Sequence, residues 1–179
     1  MSIANTADGY GWVAKLLHWL VFICLLMAVF AGYNLEAMEA GPEKDAEAGT
    51  HASFGLLILF MVILRLGWRL INVQPELEEL AAARRRLANR VHQLLYLLMF
   101  LQPLSGVGMV QAYGYPLTFF GMFSVPAIMP QSENLGVAFY LIHSFVWVAL
   151  TLIVVGHALV ALHHHFIKKN RVLRRMSFG

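Results

Sequence analysis

Four stretches of the 179-residue chain are apolar for longer than a soluble amphipathic helix tolerates: residues 11–35, 51–70, 91–113 and 135–166. A hydrocarbon core of about 30 Å takes roughly 20 residues of helix to cross, so each stretch is long enough. None alternates apolar and polar positions as a membrane barrel strand does. The pattern therefore predicts an all-α, four-helix transmembrane bundle forming a single membrane domain. The fourth stretch would be about 48 Å long and is expected to protrude from the bilayer or break near one end. Pro103 stands mid-span in the third, where a missing backbone donor predicts a kink. Residues 75–88 read as a charged helical connection, and no internal repeat is evident. Between the third and fourth spans, Pro116, Pro126 and Pro130 alternate with Tyr113, Tyr115, Phe119, Phe120 and Phe123, an aromatic loop expected at the membrane interface.

Composition supports the membrane reading. Apolar residues are 59% and charged residues 13% of the chain, against roughly 25% charged in ordinary soluble domains. Mean hydropathy is +0.65. With one cysteine, Cys24, a disulfide scaffold is excluded, and the apolar content excludes a disordered chain or a nucleic-acid binder despite a pI near 9.2.

The charge map orients the spans. Twelve of the thirteen cationic residues lie before the first span, around the second connection, or after the fourth span. The exception, Lys44, sits among Glu36, Glu39, Glu43, Asp45 and Glu47. Positive residues are retained on the cytoplasmic side, so both termini are expected there, in a multi-pass membrane protein. A rival reading makes the first span a signal peptide cleaved near Ala31, which would remove His18.

Ionisable groups inside spans are expensive and mark ligands, ions or proton paths. Given this topology, His18 and His157 share the inner leaflet, while His51 and His143 share the outer one. His143 and His157 are fourteen residues apart on one helix. They therefore face within about 40° of each other, about 21 Å apart along the axis. Two imidazoles facing across an apolar gap suit haem iron, with one ligand above and one below the macrocycle. Zinc needs four ligands per site, and no Cys, Asp or Glu stands at the right depth. Without a C-x-x-C-H motif the haem would be non-covalent b-type, two per chain.

Other positions fall on the same stripes. Gly55, one turn after His51, would let a flat macrocycle approach the backbone. Arg65, fourteen residues after His51, could pair with a propionate of the inner haem or could snorkel to the interface. His92 opens the third span and could compete for the inner iron, cap its helix, or contact a propionate or quinone. His163, His164 and His165 end the fourth span. His164, seven residues after His157, is the one associated with a second substrate.

Together, Leu17-His18-Trp19, then His51, Ser53, Gly55 and Arg65, then His92, Tyr96, Pro103 and Gly106, and finally His143, His157, His164 and His165 resemble the bacterial cytochrome b561 family. The resemblance runs over residues 13–176. It implies four helices holding two b haems, ligated by His18 with His157 and by His51 with His143. It also implies electron exchange with ubiquinone near the cytoplasmic side, involving His164 and Lys15, and in some members oxidation of superoxide at the outer face. The acidic outer connection argues against capture of a small anion. An alternative is therefore a cytochrome b anchor subunit, carrying electrons from a dehydrogenase or hydrogenase to quinone. A third reading is a proton or metal-ion transporter built on the histidine ladder, against which stands the lack of repeats or broken helices.

Overall fold

A computed structural model of the chain describes residues 2–7, 9–75 and 81–178. Four long helices account for most of it: α1 (Trp12–Ala37), α2 (Pro42–Ile71), α3 (Ala82–Ala112) and α4 (Glu133–Phe166). All four are long and apolar enough to cross a membrane. A two-residue hairpin, β1 (Thr118–Phe119) with β2 (Phe123–Ser124), lies in the α3–α4 connection, and a short 3-10 turn (Arg174–Met176) follows α4.

Two helices start well before their apolar runs. α2 begins at Pro42 because proline suits the first helical position, and Glu43 and Asp45 in the first turn complement the helix dipole. His51 consequently sits in the third turn of α2 rather than at its start. α3 begins at Ala82 and carries Arg84, Arg85, Arg86 and Arg90 on its first turns. The predicted helical connection over residues 75–88 is thus helix from 82 onward, while residues 76–80 lie outside the described ones. α3 runs through Pro103 as one helix, and that proline is buried. α4 opens on a Ser132 hydroxyl accepting the Leu135 N–H, with Glu133 in its first turn. It continues unbroken to Phe166; its 34 residues are longer than the hydrocarbon core requires.

The buried side is built from small and medium side chains. Val21, Cys24, Ala28, Ile58, Val62, Leu95, Leu98, Met99, Val146 and Leu150 form one continuous core. The large apolar side chains point outward, with Phe145 74% and Leu152 68% exposed. That inversion of a soluble protein's pattern is what a lipid solvent stabilises.

Packing divides the bundle into two helical hairpins. α1 packs closely on α2 and α3 on α4, and a thinner seam of α2 against α3 joins the halves. The backbone of α4 makes no comparable approach to α1 or α2. Glycines set the α3–α4 contact. A Cβ at Gly136 would lie 2.5 Å from the Tyr113 ring and one at Gly108 2.8 Å from Phe139.

At one end of the bundle the N-terminal segment meets the α2–α3 connection and the C-terminal tail meets α1. Asn5 Nδ2 donates to the Val73 carbonyl (2.9 Å), and Lys15 Nζ donates to the Ser177 carbonyl (2.7 Å). At the other end the hairpin is tied to α2 through Ser53, whose Oγ donates to Gly49 O (2.7 Å) and accepts the Phe120 N–H (2.8 Å).

Candidate functional site

The gap between the two hairpins is where the histidines meet. In the half of the bundle away from the chain termini, the outer half in the expected topology, His51 of α2 faces His143 of α4 with ring centroids 6.1 Å apart and planes at 77°. In the inner half, His18 of α1 faces His157 of α4 at 6.4 Å and 62°. Each couple takes one ring from each hairpin, across helix pairs whose backbones stay apart. The fourteen-residue spacing on α4 stacks the two couples along one helix, as helical periodicity requires.

These separations admit a metal. With a bond of about 2.0 Å from metal to imidazole nitrogen and about 1.1 Å from that nitrogen to the ring centre, two rings on opposite sides of a metal would stand about 6.2 Å apart. Both couples lie within a few tenths of an ångström of that value. Among the described residues no group of three or more His, Cys, Asp or Glu is placed to hold a metal ion. The protein's own donors therefore come in twos, which suits a metal whose remaining positions are filled by a macrocycle.

The outer rings are held by backbone. His51 Nδ1 donates to the Ala28 carbonyl of α1 at 2.9 Å. His143 Nδ1 donates to the Gln102 carbonyl of α3 at 2.9 Å, with the Ser105 hydroxyl 3.2 Å away. A ring whose Nδ1 carries the proton turns an Nε2 lone pair to its other side. On His143 that lone pair accepts from the Gln102 side-chain amide at 2.9 Å. The inner rings have no such carbonyl: His18 Nδ1 is buried and unpartnered among the described residues.

A cavity of about 370 Å³ surrounds the inner couple, with His18, His157, His92, Arg65, Tyr96 and His164 in its walls. That is within the range of small-molecule sites. Arg65 lies over the Tyr96 ring, its guanidinium carbon 5.4 Å from the centroid. Among the described residues no carboxylate pairs with Arg65, so its charge is available to an anionic group entering the cavity. His92 comes within 5.5 Å of His157 and forms part of the wall. His164 reaches the same wall and takes a 2.7 Å hydrogen bond on Nδ1 from Asn170 Nδ2.

Gly55, one turn after His51, is not among the residues lining this inner cavity. A Cβ there would be in ordinary contact, 4.0 Å, with Pro103 of α3. Lys15 is engaged by the Ser177 carbonyl, and the Trp19 indole donates to the Met176 carbonyl (2.8 Å). The tail thus folds back under the bundle, bringing Leu173, Arg175 and Met176 to the cavity wall.

Sequence reasoning missed the Ala28 and Gln102 carbonyls, Ser105, Gly32 and the returning tail. A backbone carbonyl leaves no mark on a sequence. Gly106 and Ser53 stood in the motif without a stated role.

The chain was compared with known proteins. The family profile described as prokaryotic cytochrome b561 matches residues 9–179. Cytochrome b561 homolog 2 of Escherichia coli (strain K12) is 32% identical over 186 residues, covering 98% of this chain and 95% of the relative. The probable superoxide oxidase CybB of Yersinia pestis is 29% identical over 167 residues, covering 89% of this chain and 90% of the relative.

Proposed function

This chain belongs to the prokaryotic cytochrome b561 family, haem b proteins that carry electrons in membranes, and on that premise we propose that it holds two b haems and passes electrons between an outer donor and ubiquinone. His18 with His157 would hold the inner haem, and His51 with His143 the outer one. The observation that carries this reading is the pair of imidazole couples, 6.4 and 6.1 Å between ring centres, stacked on one face of α4 across the gap between hairpins.

Haem b supplies a reversible one-electron couple. The residues determine the rest. Two histidines at each level leave no open coordination position, so the site moves electrons rather than binding oxygen at a metal. For His143 Nε2 to ligate iron, the Gln102 side-chain amide would have to leave that nitrogen, while the Gln102 carbonyl would keep Nδ1. Arg65, stacked on Tyr96, would pair with a propionate in the inner cavity. His164 and His92 line that cavity, where a quinone headgroup would find hydrogen-bonding imidazoles and a proton source. The cationic end of the bundle, with both chain termini, faces the cytoplasm of an inner-membrane protein.

Superoxide enters as a donor through the name of the Yersinia relative, a probable superoxide oxidase. A second reading, electron delivery from a dehydrogenase or hydrogenase partner, is favoured by the exposed Glu36, Glu39, Glu43 and Asp45 at the outer end. Those charges repel a small anion and attract a basic protein surface.

Haem stoichiometry tests the assignment. The purified protein should give two haems per chain by pyridine extraction, and His143→Ala and His157→Ala should each retain one, with distinguishable reduced-minus-oxidised spectra. A wild-type protein lacking haem absorption ends this reading, and equal loss of both haems from either variant ends the pairing. Stopped-flow mixing with superoxide separates the donors: haem reduction no faster than that of free haem leaves the protein partner.

A further inference from the structure

Two glycines meet the outer histidines in the same way. A helical carbonyl points along the axis toward the residue four positions later. Four residues after Ala28 comes Gly32, and four after Gln102 comes Gly106. Ala28 and Gln102 are the two residues whose carbonyls accept Nδ1–H from His51 and His143. A Cβ on Gly32 would stand 3.0 Å from His51 Cε1 and 3.1 Å from its Nδ1. A Cβ on Gly106 would stand 3.1 Å from His143 Cε1 and 3.3 Å from its Nδ1. Each ring therefore lies over the bare backbone of its glycine and reaches down to the carbonyl one turn below.

Each hairpin uses this arrangement once. His51 of α2 leans on α1, and His143 of α4 leans on α3, the tightly packed partner in each case. Nothing similar occurs at the inner level, where a Cβ on Gly156, beside His157, would meet nothing within 4 Å and His18 Nδ1 has no partner among the described residues.

We propose that Gly32 and Gly106 are positioning residues for the outer imidazole couple, letting His51 and His143 hold their Nδ1–H groups on the Ala28 and Gln102 carbonyls and so fixing ring orientation and raising ligand basicity at that level alone. The proposal rests on the reading that this couple holds a haem. A ligand imidazole that donates from its second nitrogen is more basic and favours the oxidised metal. The outer haem should therefore have the lower midpoint potential of the two. A methyl group at either glycine forces the ring aside by a few tenths of an ångström, lengthening the hydrogen bond and turning the ring plane.

The test uses the purified full-length protein. Gly32→Ala and Gly106→Ala should each shift one midpoint potential, the lower one, to a more positive value, and should change the low-spin ferric electron paramagnetic resonance signal of one haem while leaving the other. Gly67→Ala, where a Cβ meets nothing within 4 Å, should change neither. Should the alanine variants fail to fold, redox difference infrared spectra of the wild type read the imidazole N–H groups directly, and hydrogen-bonded bands should track the lower-potential haem. Two bound haems with unmoved potentials and resonances in both variants, or infrared bands showing no carbonyl-bonded N–H, overturn the proposal. A wild type that binds no haem overturns the functional reading beneath it.

Discussion

Ser53 illustrates how much one buried hydroxyl can hold. It is fully buried, donates to its own helix at Gly49, and accepts the N–H of Phe120, a residue at φ 47° in the left-handed region. Left-handed backbone is costly for a bulky side chain and persists only when its surroundings enforce it. The Ser53 bond, with the Phe54–Phe120 ring contact at 5.3 Å, supplies that enforcement. Ser53→Ala removes the side-chain partner of the Phe120 N–H, at a cost of about 0.5–1.5 kcal/mol. The expected outcome is a lower unfolding temperature in detergent and faster proteolysis within residues 114–131, while haem content is retained. Ser53 was visible in the motif, but its use depends on a loop 67 residues further along. The four span histidines were legible because a polar ring in a membrane helix is conspicuous; the carbonyls that hold two of them were not.

At the scale of elements, hydropathy located the four spans because crossing lipid demands a minimum apolar length. Helix starts were less legible. The first turns of α2 and α3 are polar, and capping chemistry rather than hydropathy sets them. The close approach of α3 to α4 depends on residues with no side chain, since helices in lipid associate through packing rather than hydrophobic exclusion. Gly136→Ala drives a methyl into the Tyr113 ring, where overpacking costs about 1–3 kcal/mol. Gly67→Ala, on an exposed face, is expected to be neutral or slightly stabilising because alanine favours helix by about 1 kcal/mol. Thermal unfolding of the two variants side by side checks the contrast; equal midpoints would show that the α3–α4 seam yields to a methyl group.

For the whole molecule, the chain ends matter more than their composition suggested. The cationic tail read as a topology signal, and it also returns to α1, where Lys15 and Trp19 donate to the carbonyls of Ser177 and Met176. Deleting residues 172–179 should leave the helical bundle and its haem content intact while opening the inner cavity from below. Iodide quenching of Trp19 fluorescence, in a background with the other tryptophans replaced by phenylalanine, should rise severalfold. Unchanged quenching would mean that the tail does not cover that mouth in the membrane.

Helix number, the division of the four span histidines into two levels and the common face of His143 and His157 were legible in the sequence alone, because apolar length and the 3.6-residue period are properties of a single segment. The separations of 6.1 and 6.4 Å between the paired rings, that α4 stands off from α1 and α2, and that Ala28 and Gln102 offer their carbonyls to one couple only were decided by tertiary structure. Those features depend on how two helical hairpins lie against each other. That placement is set by glycines and backbone groups, whose part in the packing appears only once separate segments are brought together.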